Sequence, residues 1–206
     1  ASLPKQFIEF RERKTLFADT FKRLDAKKGI QFTIVGNKTH NFLCRREILS
    51  LGIREVNYIL EEVGRNTAPA ILMSALNATE DDILVIMPAD HWISDNSAFN
   101  KIIQTASEVV FSKDCWVTFG IKPTEPQTGY GYIKAIGESE KMVVVSFTEK
   151  PDLKTAESYL ADSEYYWNSG IFVVRAGKCI DSFKQHQPEL YNAAVTCWDH
   201  RDICGD

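Results

Sequence analysis

The sequence lacks a long hydrophobic run, a block of basic residues and any paired-cysteine spacing. No stretch approaches the ~18 apolar residues that a membrane-spanning helix needs, and no signal-peptide pattern opens the chain. The five cysteines (Cys44, Cys115, Cys179, Cys197 and Cys204) are odd in number and scattered, without a C-x-x-C pair. That disfavours a disulfide framework or a zinc site and makes a reducing cytoplasm the expected compartment. With 24 Lys+Arg against 28 Asp+Glu the net charge is −4, which argues against nucleic acid or an anionic membrane as the main partner. Any polyanion handled here is expected to be small and held by a few placed cations. Internal repeats and low-complexity linkers are also missing, so residues 1–206 are expected to form a single domain. The start at Ala1 and the end at Cys204-Gly205-Asp206 lead us to expect a chain cut at both ends.

What is present is ordinary for a soluble globular protein, with 44% hydrophobic and 25% charged residues and ample material for a core. Helical and extended patterns alternate over the first 120 or so residues. Residues 14–24 carry Leu16, Phe17, Phe21 and Leu24 at helical spacing, and 31–35 form a short apolar run. A helix capped by Asn37 or Thr39 reaches Leu51, with Gly52 as its stop, and 56–60 reads as a strand. Residues 67–78 predict a helix with Pro69 in its first turn. The run 82–87 fits a strand buried on both faces, followed by an amphipathic helix over 98–111 and a strand over 116–121. This alternation implies an α/β fold with a mostly parallel sheet flanked by helices. The second half departs from it: strands 129–136 and 142–148 surround a Gly137-Glu138-Ser139 turn. Helix 152–160, strand 167–174 and helix 179–185 follow.

In open α/β sheets ligands bind beyond the carboxyl ends of the strands, and five unusual segments fall there. Gly64-Arg65-Asn66-Thr67 lies at a helix start, whose free N–H groups suit a phosphate or a base carbonyl; a plain capping loop is the alternative. Pro88-Ala89-Asp90-His91 follows the most apolar strand. There Asp90, with Asp95, could hold a nucleotide-bound Mg²⁺, or Asp90 could cap a turn with His91 structural. Gly129-Tyr130-Gly131-Tyr132 would let a ligand approach the backbone, or mark a bulge in an edge strand. Glu149-Lys150 at a strand end suits sugar hydroxyls and a phosphate, or forms a surface pair. Asn168-Ser169 interrupts an apolar strand, which is costly in a core unless its polar atoms are paired. Lys5, read alone, is a solvated lysine.

In this order PKQF (4–7), GRNTAPA (64–70), PADH (88–91), TFGIKPT (118–124), TGYGYI (128–133), EKPD (149–152) and WNSGIF (167–172) resemble the mannose-1-phosphate guanylyltransferases, or GDP-mannose pyrophosphorylases. The bacterial type that often carries a C-terminal isomerase region is nearest. The resemblance implies a Rossmann-like nucleotidyltransferase domain that condenses mannose 1-phosphate with GTP to give GDP-mannose and pyrophosphate, with Mg²⁺ as cofactor. It implies Lys5, Asp90 and Lys150 as catalytic residues, Asp90 as the metal ligand, and Glu62, Arg65, Asn66 and Thr67 at the nucleotide. Gly131, Glu149 and Asn168 would hold the sugar. It implies no nucleic-acid or membrane partner and leaves a homo-oligomer open. The family's opening strand and glycine-rich phosphate loop are not in this sequence, a second metal Asp would fall beyond Asp206, and Val63 stands where relatives usually have proline. Three rivals remain: a transferase for another nucleotide or sugar, a catalytically silent sugar-nucleotide-binding regulatory subunit, and a glycosyltransferase. Retention of Lys5, Asp90, Glu149 and Lys150 disfavours the silent subunit, and the absence of a D-x-D after a strand disfavours the glycosyltransferase.

Overall fold

A computed structural model describes residues 3–11, 14–24, 29–137 and 141–203. In chain order the elements are β1 (Glu9–Arg11), β2 (Lys14–Thr15), α1 (Leu16–Lys22), β3 (Phe32–Asn37), α2 (Asn41–Ser50), β4 (Val56–Glu61), α3 (Thr67–Leu76) and β5 (Ile83–Ile86). There follow α4 (Asn96–Lys113), β6 (Val117–Ile121), β7 (Tyr132–Ile136), β8 (Val143–Thr148), α5 (Leu153–Ala161), β9 (Tyr165–Arg175), α6 (Ala176–His186) and α7 (Pro188–Asp199). They fall into two compact units, one of Ala1–Val117 with Val173–Asp206 and one of Thr118–Phe172.

In the first unit the predicted strand–helix–strand pattern becomes a parallel pair. β3 and β4 run in register from Phe32↔Val56 to Asn37↔Glu61, with α2 as the crossover. The helix expected over 14–24 begins only at Leu16, because Thr15 takes the N-cap and its Oγ1 accepts from the Ala18 N–H at 3.0 Å. Phe7, Phe17, Phe21, Ile34, Cys44 and Ile48 form one buried cluster, so the segment after Pro4 is anchored by Phe7. Gly52, at φ +70°, ends the α2 segment as expected.

β5 differs from expectation, since all four of its residues are half-buried. It pairs with β9, and among the described residues no strand pairs with its other edge. α7 was not foreseen, although Pro188 at its first position and Glu189 in its first turn are ordinary start signals. α3 packs against both α6 and α7, and its Leu72 and Ala75 are fully buried.

Asp114 ends α4 in the left-handed region (φ 48°) and takes hydrogen bonds from Arg175 Nε at 3.2 Å and Nη2 at 2.5 Å. Those bonds hold its carboxyl below the usual range. The pair therefore stabilises the fold above the ordinary carboxylate pKa of about 4 and is lost as pH falls through the lower folded value. Asp114→Asn keeps a residue that tolerates this backbone and removes the charge. We expect a small drop in melting temperature at pH 7 that shrinks as pH falls below about 4 and through the lower folded value. A gap unchanged by acid would contradict the ion-pair account.

In the second unit β7 runs antiparallel to β8 (Tyr132↔Thr148) and to β9 (Tyr132↔Trp167), while β6 pairs with β9. This is the change of pattern expected in the second half. Of the expected turn, Gly137 is described, whereas Glu138 and Ser139 lie outside the described residues. Asp152 caps α5 by accepting from the Thr155 N–H at 2.8 Å.

Candidate active site

The chain segment after β5 and the segment after Pro4 converge. Lys5 Nζ lies 2.5 Å from Asp90 Oδ2, with the Lys5 side chain 73% and the Asp90 side chain 24% exposed. Two distant segments thus place a cation and a carboxylate together beyond the end of a strand, where ligands of α/β sheets bind. Asp90 Oδ1 is 3.8 Å from His91 Nε2. His91 titrates below its ordinary value, chiefly because its ring is partly desolvated, with Arg23 and Lys5 adding to the effect and Asp90 opposing it. Asp95 does not join this group, because its Oδ1 caps α4 by accepting from the Ala98 N–H at 2.8 Å. Among the described residues no group of three or more His, Cys, Asp or Glu side chains is arranged to hold a metal ion. One carboxylate suits Mg²⁺ shared with phosphate oxygens, since that ion usually takes one or two protein carboxylates and keeps its other positions for substrate and water.

A second group lies at the carboxyl ends of β3 and β4. Glu62 follows β4 and Lys38 follows β3, and their Nζ and Oε1 atoms meet at 2.7 Å. Asn37 steadies this corner by donating from Nδ2 to the Glu62 carbonyl at 3.4 Å and accepting from the Thr39 N–H at 2.9 Å. Lys38 was not selected from the sequence, where it is one solvated lysine among many; only the parallel register reveals its pairing. Arg65, Asn66 and Thr67 are exposed before and at the start of α3. Asn66 occupies the N-cap position, yet its side chain makes no capping bond and its φ is 68°. The plain capping alternative is therefore not what its amide does.

The third group belongs to the second unit. A Cβ on Gly131 would stand 2.9 Å from Glu149 Oε2 and 3.0 Å from Phe147 Cζ, so the absent side chain makes room for the Glu149 carboxylate. The Gly131 carbonyl accepts from the Asn168 N–H at 2.8 Å, which ties the two segments together. Asn168 Oδ1 accepts from Thr118 Oγ1 and from the Gly170 N–H, each at 3.2 Å, and Ser169 Oγ accepts from the Ile171 N–H at 3.2 Å. These bonds satisfy the polar acceptors that interrupt β9 and orient the Asn168 amide. Lys150 Nζ is 3.5 Å from Glu149 Oε1, both side chains being largely exposed. The backbone of Lys150 is left-handed, at φ 44°. For a residue that is neither Gly, Asn nor Asp, this costs on the order of 1–3 kcal/mol and is commonest at functional sites.

The sequence profile of the family described as Nucleotidyl transferase matches residues 1–203. The chain belongs to the nucleotidyl transferase family. It is 40% identical over 199 residues to the xanthan biosynthesis protein XanB of Xanthomonas campestris, covering 95% of this chain and 42% of that protein. It is 38% identical to the mannose-1-phosphate guanylyltransferase RfbM of Salmonella typhimurium over 96% of this chain and 42% of RfbM. This nucleotidyl transferase chain therefore spans less than half the length of these curated relatives. Among solved structures, one described as mannose-6-phosphate isomerase from Helicobacter pylori matches with TM-score 0.90 and 34% identity, over 98% of this chain and 77% of that one. A UDP-glucose pyrophosphorylase bound to UDP-glucose matches with TM-score 0.61 at 15% identity, over 98% of this chain and 81% of that one, and shows the fold alone. No helix among the described residues of this nucleotidyl transferase is long and apolar enough to cross a membrane.

Proposed function

We propose that the chain carries the catalytic residues of a mannose-1-phosphate guanylyltransferase, joining mannose 1-phosphate to GTP with release of pyrophosphate. The observation that supports this most is the Lys5–Asp90 pair at 2.5 Å, which sets a carboxylate suited to Mg²⁺ beside a cation suited to phosphate. The sugar-phosphate oxygen attacks the α-phosphorus of GTP, the new P–O bond forms, and the α-phosphorus bond to the bridging oxygen breaks to free pyrophosphate. No side-chain nucleophile is required.

The obstacle is repulsion between anions. Two unit charges at ~4 Å repel by about 1 kcal/mol in water and about 4 kcal/mol at an effective dielectric of 20, and several such pairs act at once. Cations placed beforehand are therefore the main catalytic resource. In this reading Lys5 binds the phosphates at the reacting centre, and Asp90, already paired with Lys5, would hold Mg²⁺. The metal, when bound, neutralises phosphate charge. Glu62, Arg65, Asn66 and Thr67 face the nucleotide, and Lys150 binds the phosphate of the incoming sugar. Glu149 and Asn168, with the Gly131 backbone, take the mannose hydroxyls. We place the reaction in a reducing cytoplasm, the compartment that the scattered cysteine spacing favours.

Lys150→Asn tests the sugar-phosphate role, since asparagine tolerates the left-handed backbone while the charge is lost. A charge-assisted contact of about 1.5–3 kcal/mol predicts a rise of roughly ten- to a hundredfold in the KM for mannose 1-phosphate, with the KM for GTP little changed. Unchanged kinetics toward the sugar phosphate would remove Lys150 from the site. The reaction class itself is tested by offering the chain mannose 1-phosphate with GTP, ATP, UTP or dTTP and identifying the sugar nucleotide formed. Conversion of GTP alone supports the reading, and preference for another nucleotide overturns it.

A further inference from the structure

Arg23 follows α1 and is 1% exposed, so its guanidinium has left water. An aliphatic side chain would fill such a space without the several kcal/mol that desolvating a cation costs. What the guanidinium contributes is reach. Its Nη2 donates to the backbone carbonyl of His91 at 2.5 Å, across 68 residues of sequence. The Arg23 carbonyl is itself held by Asn100 Nδ2 at 2.6 Å, and that amide also donates to the Asn96 carbonyl at 2.7 Å. The guanidinium carbon lies 6.0 Å from the centroid of the Phe99 ring. The Arg23 backbone is thus held by the N-terminal part of α4, and its guanidinium holds the His91 carbonyl in turn. Residues 87–95 belong to neither helix nor strand, so no ladder of a regular element holds the backbone that carries Asp90. Nη1 has no hydrogen-bond partner among the described residues, so the fork is committed to the His91 carbonyl through one arm.

We propose that Arg23 is a positioning residue for Asp90: by gripping the His91 carbonyl it fixes the loop that aims the Asp90 carboxylate at Lys5 and at a divalent cation. This rests on the reading of Asp90 as the metal carboxylate. Residues that orient a metal ligand from behind typically change metal affinity by about ten- to a hundredfold when replaced. The charge of Arg23 need not touch substrate for this, and its burial keeps it from doing so.

The test is Mn²⁺ uptake in the presence of GDP-mannose, followed by the electron paramagnetic resonance signal of free Mn²⁺, on the chain as described and on variants. Arg23→Met is expected to weaken Mn²⁺ binding about tenfold, with metal-free GDP-mannose affinity held within about twofold. Arg23→Lys, which retains one donor but not the planar fork, should recover part of the loss. Asn100→Ala, which releases the Arg23 carbonyl, should fall between wild type and Arg23→Met. A merely structural role would instead lower the melting temperature and weaken both ligands together. Wild-type Mn²⁺ affinity in folded Arg23→Met overturns the proposal. If circular dichroism shows Arg23→Met unfolded, wild-type affinity in both Arg23→Lys and Asn100→Ala overturns it. Failure of the wild-type chain to take up Mn²⁺ overturns the metal reading of Asp90 itself, and this proposal with it.

Discussion

Asp90→Asn is expected to lower Mg²⁺-dependent GDP-mannose formation by about a thousandfold, the upper range for removing one preorganised electrostatic group from an active site. The substitution keeps the shape of the side chain and removes the charge that faces Lys5 and that, in the proposed reading, would hold the metal. Stability should barely respond. The Lys5 side chain of that pair is 73% exposed, and exposed ion pairs contribute about 0–1 kcal/mol. A large kinetic loss with an almost unchanged melting curve is the signature to look for. Near-normal turnover in Asp90→Asn would remove the metal role, and unfolding would mean that the carboxylate is structural.

Gly131→Ala is expected to act on the sugar alone. The added Cβ would stand 2.9 Å from Glu149 Oε2, closer than real Cβ atoms approach a neighbour, and 3.0 Å from Phe147 Cζ, tighter than most such contacts. Glu149 is exposed and its carboxylate is the end of a flexible side chain, so it is the group that yields. The backbone at Gly131 needs no left-handed conformation, and the fold should persist. In the proposed reading, in which Glu149 accepts sugar hydroxyls, displacing it forfeits a charged hydrogen bond of about 1.5–3 kcal/mol, or roughly a ten- to hundredfold rise in the KM for mannose 1-phosphate. The KM for GTP should stay within about twofold, well inside the tenfold that 1.4 kcal/mol represents. An equal rise in both constants would show general damage to the fold.

The sequence made much of this arrangement legible, because the relevant signals are local. Apolar periodicity located β3, β4, α3 and α4 to within a few residues, and the residues beyond their ends supplied the candidates. Asp90 and Glu149 became candidates because each lies in a polar segment beyond the end of an apolar strand. The half-burial of β5 was not legible, since a continuous apolar run says what a strand tolerates and not which neighbours it has. Lys38 and Arg23 escaped for a related reason. Each acquires its meaning from a partner far along the chain, Glu62 in one case and His91 in the other, and a single charged residue carries no mark of such a partner. Asp95 shows the converse error, in which a carboxylate near a candidate site spends itself on capping the next helix.

The central claim is that one chain binds a guanine nucleotide sugar through these groups. It is tested most directly by calorimetric titration with GDP-mannose, with and without Mg²⁺, using UDP-glucose as the control. The account predicts binding of GDP-mannose that Mg²⁺ strengthens in the wild type and not in Asp90→Asn, and little binding of UDP-glucose. Equal binding of both sugar nucleotides, or binding of neither, would contradict it.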